Sequence, residues 1–403
     1  MAGTIPLWLY VAVMLATGSM NTILNKWQDM QCVRNCTDPD PSTHKHYEQP
    51  VWQTLTMFVG EVGCLVVFLV SAHFQSKPTD ESAPLLEDAN EENDGDSEVS
   101  ELSGWKLLLL WLPTLCDLLA TTLMNVGLLF VSASIYQMVF YIYCALLMAN
   151  VLVAKGSVVL FTGTFSTLFL GRQHPPYRWF ALCTVFVGVA LVGASSIYAS
   201  KPSNMSLLQH ITPTSTAEAS TALFGVFLVV AAQSLTASQF VIEEKVLSNY
   251  RIQALKAVGL EGFFGLLTGL IVLPPVYYFY GQYQSPDNFF NVVQGFHDTF
   301  DVPSVFYTGI GICFSISLFN WSGLSVTQTV SATSRSTIDT CRTVFIWMIS
   351  MGLGWESFKL LQVIGFVVLI YGTFVFNDVI ALPEVLGLGR AEDSEVVVED
   401  DEI

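Results

Sequence analysis

The chain has 403 residues, of which 52% are hydrophobic and only 12% are charged, and its formal net charge is −18. Because soluble domains carry about 25% charged residues, this composition excludes an ordinary soluble protein and predicts a polytopic membrane protein. Residues 80–101 and 377–403 carry the whole of the net negative charge. These acidic segments are predicted to be a solvated, disordered loop and tail. The neutral remainder excludes a nucleic-acid partner.

Ten apolar segments are long enough to cross a bilayer, which takes about 20 helical residues. Polar or Pro- and Gly-rich stretches such as DPDPSTHKHYEQP and GRQHPPYR separate them. No cleavable signal peptide is expected, because the N-terminus lacks a basic region and the first span has no convincing cleavage site. The predicted spans are 6–26, 51–72, 106–130, 132–170, 178–198, 222–243, 257–280, 303–324, 336–354 and 359–377.

The fourth segment is unusually long, and Lys155-Gly156 interrupts it. It is interpreted either as one span with a kinked extension or as two spans. Ten crossings with both termini in the cytosol agree with the positive-inside rule, and they place the sequons at Asn35 and Asn204 on the lumenal side as predicted glycosylation sites. The predicted cytosolic loops then hold most of the bases: Lys77, Lys106, Arg172, Arg178, Lys245, Arg251, Lys256 and Arg390.

The ten spans divide into five and five, residues 1–198 and 222–379. An odd number of spans in each half forces opposite orientations, which is the inverted-repeat plan of secondary transporters. The fold class predicted is therefore all-α, with two inverted five-helix repeats. The first repeat includes a disordered acidic cytosolic loop at 73–105, a lumenal linker covers 199–221, and a disordered acidic cytosolic tail covers 380–403.

The ninth span opens with SATSRSTIDTCRTVFIW (331–347), which places three charges inside an apolar segment. Arg335, Asp339 and Arg342 share one helix face at spacings of four and three residues, so they neutralise one another in part. Charges within a membrane are costly and usually face a cavity or a partner. Lys155 and Arg342 are predicted to bind an anion with Asp339 beside them; the alternatives are a structural Asp339–Arg342 pair and a flanking role for Arg335.

Other polar residues within the spans have two interpretations. The carboxyl groups of Glu61, Asp117 and Glu261 could carry a coupling proton, or they could pair with Lys or Arg across the bundle. Side-chain amides could line the cavity or link helices, and Glu243-Glu244-Lys245 is expected at the membrane interface. The amide candidates for substrate binding are Asn125, Gln137 and Asn320.

Motifs of soluble enzymes are absent: the sequence has no P-loop, no HExxH and no GxSxG. The six His are scattered, so neither a metal site nor a cofactor is expected, and the chain is not predicted to be an enzyme. The Cys residues lie mostly in spans, where they pack as small hydrophobes. Cys32 and Cys36 share the first lumenal loop, where an oxidising lumen permits a disulfide that the spacing does not demand.

One short motif in the acidic loop resembles a sorting signal and indicates a location in the cell. Glu81-Ser-Ala-Pro-Leu85-Leu86 resembles the acidic dileucine signal that clathrin adaptors read. It favours the lysosomal or late endosomal membrane over the alternatives, the Golgi and mitochondrial membranes. The expected partners are the lipid bilayer, a small anionic solute, an adaptor and, as a homodimer, a second copy of the chain.

Several stretches resemble a known family. TGSMNTILNKWQD, MFVGEVGCLVVF, LPTLCDLLATTLMNVGL, VIEEKVLSNYRIQALKAVGLEGFFG and NWSGLSVTQTVSATSRSTIDTCRTVFIW are similar to the F subfamily of solute carrier family 35, in the drug/metabolite transporter superfamily. The resemblance implies a ten-helix carrier with a central cavity that works by alternating access. Relatives exchange nucleotide sugars or related nucleotides, which implies the same class of substrate here.

One segment departs from the family pattern. In relatives, Gln-Met of the fourth span is followed at once by Leu-Arg-Gly, whereas here residues 139–154 separate Gln137-Met138 from Lys155-Gly156. About 16 inserted residues correspond to roughly 24 Å of helix. The insertion is either a gene-model artefact or a lineage-specific segment, and it decides the depth that Lys155 reaches.

Two functions follow from these patterns. The first is a secondary-active transporter of an anionic metabolite such as a nucleotide sugar or nucleotide. The alternative is a non-transporting membrane scaffold or receptor that recruits partners through its acidic loop and tail. Charges within the spans favour the transporter, because a scaffold has no need to remove them from water.

Overall fold

The computed structural model describes residues 6–40, 43–75, 101–136, 157–198, 216–279, 281–283 and 291–380. The chain is an all-helical polytopic membrane protein, and within the ranges just given its two named strands, β1 (Cys32–Arg34) and β2 (Lys45–His46), pair antiparallel as a small hairpin. Five helical segments of the described residues are long and apolar enough to cross a membrane: Leu7–Asp29, Pro50–Phe74, Gly104–Met124, Ala254–Phe279 and Pro303–Thr329.

Eleven α-helices occur in the described residues, and a 3-10 helix at Gly104–Leu110 leads directly into the third. The α-helices are α1 (Leu7–Asp29), α2 (Pro50–Gln75), α3 (Trp111–Tyr136), α4 (Ser157–Leu170), α5 (Pro176–Tyr198), α6 (Thr216–Asn249), α7 (Ala254–Phe279), α8 (Val292–Phe300), α9 (Pro303–Thr329), α10 (Ala332–Gly352) and α11 (Leu360–Phe376).

Each predicted span contains a helix, but two boundaries and one loop were predicted wrongly. The break expected near residue 131 is absent, because VSASIY (131–136) contains no proline or glycine and α3 continues to Tyr136. Helix α6 passes its predicted end at 243 and reaches Asn249. Helix α8 forms inside a segment predicted to be a loop. The insertion at 139–154 lies outside the described residues.

The chain divides into two compact units, and the first comprises Met1–Thr122 and Ser238–Ala332. In unit 1, α1 packs on α9, and α2 packs on both α7 and α9. Its apolar core includes Leu102, Leu110, Val258 and Leu324. A small residue is required where α2 crosses α9, since a Cβ on Gly60 would lie 2.5 Å from the carbonyl oxygen of Cys313.

Replacing Gly60 with alanine is therefore expected to destabilise unit 1 by about 1–3 kcal/mol, the usual cost of overpacking. Gly63, one turn along the same helix, is the matched control, because a Cβ there meets nothing within 4 Å. Gly63→Ala should leave stability unchanged or raise it by up to about 1 kcal/mol. Thermal unfolding of both variants in detergent checks this; equal melting temperatures would contradict the close approach of α2 to α9.

Unit 2 comprises Leu123–Ala237 and Thr333–Ile403. Here α5 packs along α11, and Leu182 and Val185 of α5 form a buried cluster with Val375 of α11. At the ends of these helices Arg178 and Asp378 form an ion pair with an N–O distance of 2.8 Å. The halves at 1–198 and 222–379 remain a prediction from the sequence.

Candidate functional site

The polar start of α10 is buried. All seven residues 331–337, SATSRST, are shielded from solvent. The first N–H groups of a helix have no partner inside the helix and need an acceptor when buried. Ala332 donates its N–H to Glu244 Oε2 over 2.9 Å, and Glu244 is 3% exposed. A carboxylate at a helix N-terminus is favoured by the helix dipole, so Glu244 is a buried cap of α10; its position at the membrane interface stays a prediction.

The charges of α10 lie in unit 2. Arg335 is 3% exposed, so the interpretation of Arg335 as a solvated flank charge was wrong. Arg342 and Asp339 form the ion pair that their spacing indicates, with an N–O distance of 3.3 Å. Both are about a quarter exposed, so the pair is partly desolvated. The guanidinium of such a pair can also bind an anion, because an Arg has five hydrogen-bond donors.

Helix α11 holds the same part of α10 in place. Asn377 Nδ2 donates to Thr337 Oγ1 over 3.2 Å, and Thr373 Oγ1 donates to the carbonyl oxygen of Thr337 over 3.3 Å. The Cys341 thiol donates to Thr373 Oγ1 over 3.3 Å. These contacts fix the helical register of α10 on α11, and with it the positions of Asp339 and Arg342.

Three fully buried hydroxyl groups accompany these charges in unit 2: Ser166 on α4, and Thr333 and Ser336 on α10. Among the described residues none of them has a hydrogen-bond partner. A buried hydroxyl left unpaired costs about 1–3 kcal/mol. Their chemistry suits contact with a polar ligand.

The site residue Asn320 lies in unit 1 and contacts a carboxylate that was predicted separately. Asn320 Nδ2 on α9 donates to Glu61 Oε1 on α2 over 2.6 Å, and Glu61 is 5% exposed. Further towards the start of α9, Ser315 Oγ donates to Asn21 Oδ1 on α1 over 3.1 Å. The sequence indicated both Glu61 and Asn320, but hydropathy alone gave no signal that would pair them.

The remaining predicted carboxylates also lie in unit 1. Asp117 on α3 and Glu261 on α7 are partly buried. The two helices are joined near them, since Thr114 Oγ1 donates to the carbonyl oxygen of Glu261 over 3.3 Å. Glu243 is 2% exposed and accepts from Gln239 over 3.0 Å. The predicted coupling carboxylates therefore lie on helices of unit 1, whereas α10 in unit 2 carries Asp339 together with the guanidinium groups.

Some of the remaining predicted residues lie within the described ranges, and others lie outside them. Asn125 lies on α3, but its side chain is outside the described residues. Asn35 is exposed in the hairpin loop, where a disulfide joins Cys32 to Cys36. Within the ranges that the structure describes, no group of three or more His, Cys, Asp or Glu could hold a metal. The predicted residues outside the described ranges are Lys155, Gln137, Glu81, Leu85, Leu86 and Asn204.

Comparison with solved structures shows the same fold in another protein. One crystal structure aligns with a TM-score of 0.54, covering 94% of this chain and 99% of its own. The two sequences are 10% identical, so this likeness shows the fold alone.

Comparison with curated proteins identifies the family, although no family model matches. Solute carrier family 35 member F6 of Rattus norvegicus is 34% identical over 369 residues, and that of Homo sapiens is 32% identical over 370; each match covers 91% of this chain and 87% of the relative. An uncharacterized protein of Schizosaccharomyces pombe is 33% identical over 375 residues, 92% of this chain and 97% of its own. The chain belongs to solute carrier family 35, among its F members.

Proposed function

We propose that the protein is a secondary-active transporter that carries an anionic solute by alternating access. Membership of a solute carrier family implies solute transport rather than enzymatic catalysis. The observation that carries the proposal is the pair of guanidinium groups on α10: Arg335 is 3% exposed, and Arg342, which pairs with Asp339, is about a quarter exposed. Guanidinium groups shielded from water in this way are suited to bind an anionic solute.

The proposed solute is a phosphate-bearing metabolite such as a nucleotide sugar or nucleotide. Guanidinium groups bind phosphate oxygens in bidentate fashion, and the buried hydroxyls on α4 and α10 supply neutral hydrogen bonds. Further proposed ligands are Lys155, Gln137, Asn125 and Asn320.

A proton is proposed as the coupling ion, carried by a carboxyl group of unit 1. Glu61 is the first choice, because it is buried and its hydrogen bond with Asn320 joins α2 to α9. Asp117 and Glu261 are the other proposed carriers. A carboxyl that binds and releases a proton at the contact between two helices would link protonation to conformation.

The proposed architecture has ten spans in two inverted five-helix repeats, as in drug/metabolite transporters. The ten spans are α1 to α7 and α9 to α11, with the 3-10 helix at Gly104–Leu110 extending α3. Support comes from the family and from the ten helices found where spans were predicted. Both termini are then cytosolic.

Uptake by purified full-length protein in proteoliposomes tests the transporter proposal. Labelled nucleotide sugars, nucleotides and small organic anions are screened with and without a pH gradient. Saturable uptake of an anion is the expected result. If folded protein transports no compound of this set, the proposal is overturned.

Lysosomal or late endosomal residence is proposed from Glu81, Leu85 and Leu86, with Golgi and mitochondrial membranes as alternatives.

Glycosylation at Asn35 tests whether the hairpin is lumenal, because Asn35 is exposed. Asn35→Gln should remove an endoglycosidase-sensitive gel shift, and Asn204→Gln should remove a second one. Thr37→Ser, which keeps the first sequon, is the matched control. A cytosolic hairpin would leave the wild-type mobility unaffected by the enzyme.

The second candidate, a scaffold, is favoured by one observation: residues 80–101 contain ten acidic residues and no base. Such a segment could recruit an adaptor or a basic partner. Deleting residues 80–101 separates the functions, because a transporter would lose its sorting and keep uptake in proteoliposomes. A scaffold would show no uptake before or after the deletion.

A further inference from the structure

Helix α8 presents three chemically different faces over only nine residues. Gly295, Asp298 and Thr299 form the buried face. The polar face carries His297 and Asp301, whose side chains share a hydrogen bond of 2.8 Å and are 57% and 64% exposed. The third face is apolar and exposed, with Val293 at 50%, Phe296 at 45% and Phe300 at 44%.

The buried face attaches α8 firmly to the hairpin and to the start of α2. Asp298 is 3% exposed; it accepts from Gln49 Nε2 over 3.2 Å and pairs with Arg34 over 3.4 Å. Tyr47 and Thr299 share a hydroxyl hydrogen bond of 2.9 Å. Burial raises the pKa of Tyr47 to about 12, so the phenol stays protonated and this bond persists at physiological pH. The orientation of the apolar face is therefore fixed.

The apolar face continues into exposed apolar surface on α2 and α9, two helices that are long and apolar enough to cross a membrane. Trp52 of α2 lies edge-on to Phe296 with 5.7 Å between ring centroids. Phe296 and Phe300 are 4.6 Å apart, and Phe300 is 6.0 Å from Phe306 at the start of α9. The exposed stripe then runs down α9 through Tyr307 and, further along, Ile310 and Phe314.

We infer that α8 lies flat in the boundary between headgroups and acyl chains, with lipid covering Val293, Phe296 and Phe300. Aromatic residues concentrate at this depth, and amphipathic helices bury their apolar face there while the polar face stays in water. The occupant is lipid because the apolar face is continuous with exposed apolar surfaces of α2 and α9, two helices that are long and apolar enough to cross a membrane. The His297–Asp301 pair is oriented to the aqueous side.

Photocrosslinking tests this inference independently of transport. Full-length protein carrying p-benzoylphenylalanine at Phe296 or, as the matched control, at His297 is reconstituted in phosphatidylcholine vesicles and irradiated. We expect intact protein mass increased by one phosphatidylcholine at position 296, with at least about tenfold less adduct at position 297. Equal adduct at both positions, no lipid adduct at 296, or a crosslinked protein dimer at 296 would overturn the inference. Unchanged elution of both variants on gel filtration shows that they are folded.

Discussion

Arg342→Gln is expected to lower the kcat/KM for uptake of the anionic solute by about 10²-fold while the protein stays folded and correctly sorted. A hydrogen bond to a charged group contributes about 1.5–3 kcal/mol, which corresponds to roughly 10–150-fold. Glutamine keeps much of the length of the side chain but removes its charge. Uptake in proteoliposomes, with gel filtration to verify folding, measures the effect.

A loss of uptake in Arg342→Gln has a second explanation, the loss of the ion pair with Asp339, and this can be tested. If Arg342 served only to neutralise Asp339 across their 3.3 Å contact, the double variant Arg342→Gln, Asp339→Asn would restore uptake. Binding of the solute by Arg342 predicts no restoration, which a double-mutant cycle resolves. Arg172→Gln, in the exposed loop after α4, is the matched control and should transport normally. Normal transport by Arg342→Gln would refute the role assigned to this residue.

Glu61→Gln is expected to abolish uptake driven by a pH gradient and to preserve counterflow exchange. The amide has nearly the size of the carboxyl group and still accepts the hydrogen bond that Asn320 donates over 2.6 Å, so packing of α2 on α9 should survive. What the variant loses is the proton that a carboxyl can bind and release. Uptake with and without an imposed gradient, compared with exchange of preloaded solute, separates the two effects.

A matched control for this experiment is Glu356→Gln, because Glu356 is exposed and takes no proposed part in coupling. Its uptake should respond to the gradient as the wild type does. If Glu61→Gln still accumulates solute down a pH gradient, Glu61 is not the coupling residue. The same assay then applies to Asp117 and Glu261, which are only partly buried.

Hydropathy predicted where helices lie, since each of the ten predicted spans contains one, because a run of apolar residues is a local property of the sequence. The Asp339–Arg342 pair was predictable for the same reason, since residues three apart on a helix are neighbours. Family resemblance was confirmed at 32–34% identity to the F6 members.

Features that depend on distant partners were not predictable. The capping role of Glu244 depends on the start of α10, which lies 88 positions later in the chain and supplies the N–H group. The pairing of Glu61 with Asn320 spans 259 positions. Helix α8 was missed because nine residues are too few for a hydropathy window, although Val293, Phe296 and Phe300 show an apolar spacing that would have indicated it.

The hairpin and α8 also have a consequence for biosynthesis. The hydrogen bond between Tyr47 and Thr299 joins residues 252 positions apart, and unit 1 is interrupted by the first part of unit 2. At a synthesis rate of about 5–20 residues per second, α8 is synthesised roughly 13–50 s after the hairpin. During that interval Tyr47 lacks the contacts that bury it in the finished protein. Ribosome pauses between α2 and α8, or chaperones that bind the first hairpin, are therefore expected to control the yield of folded protein.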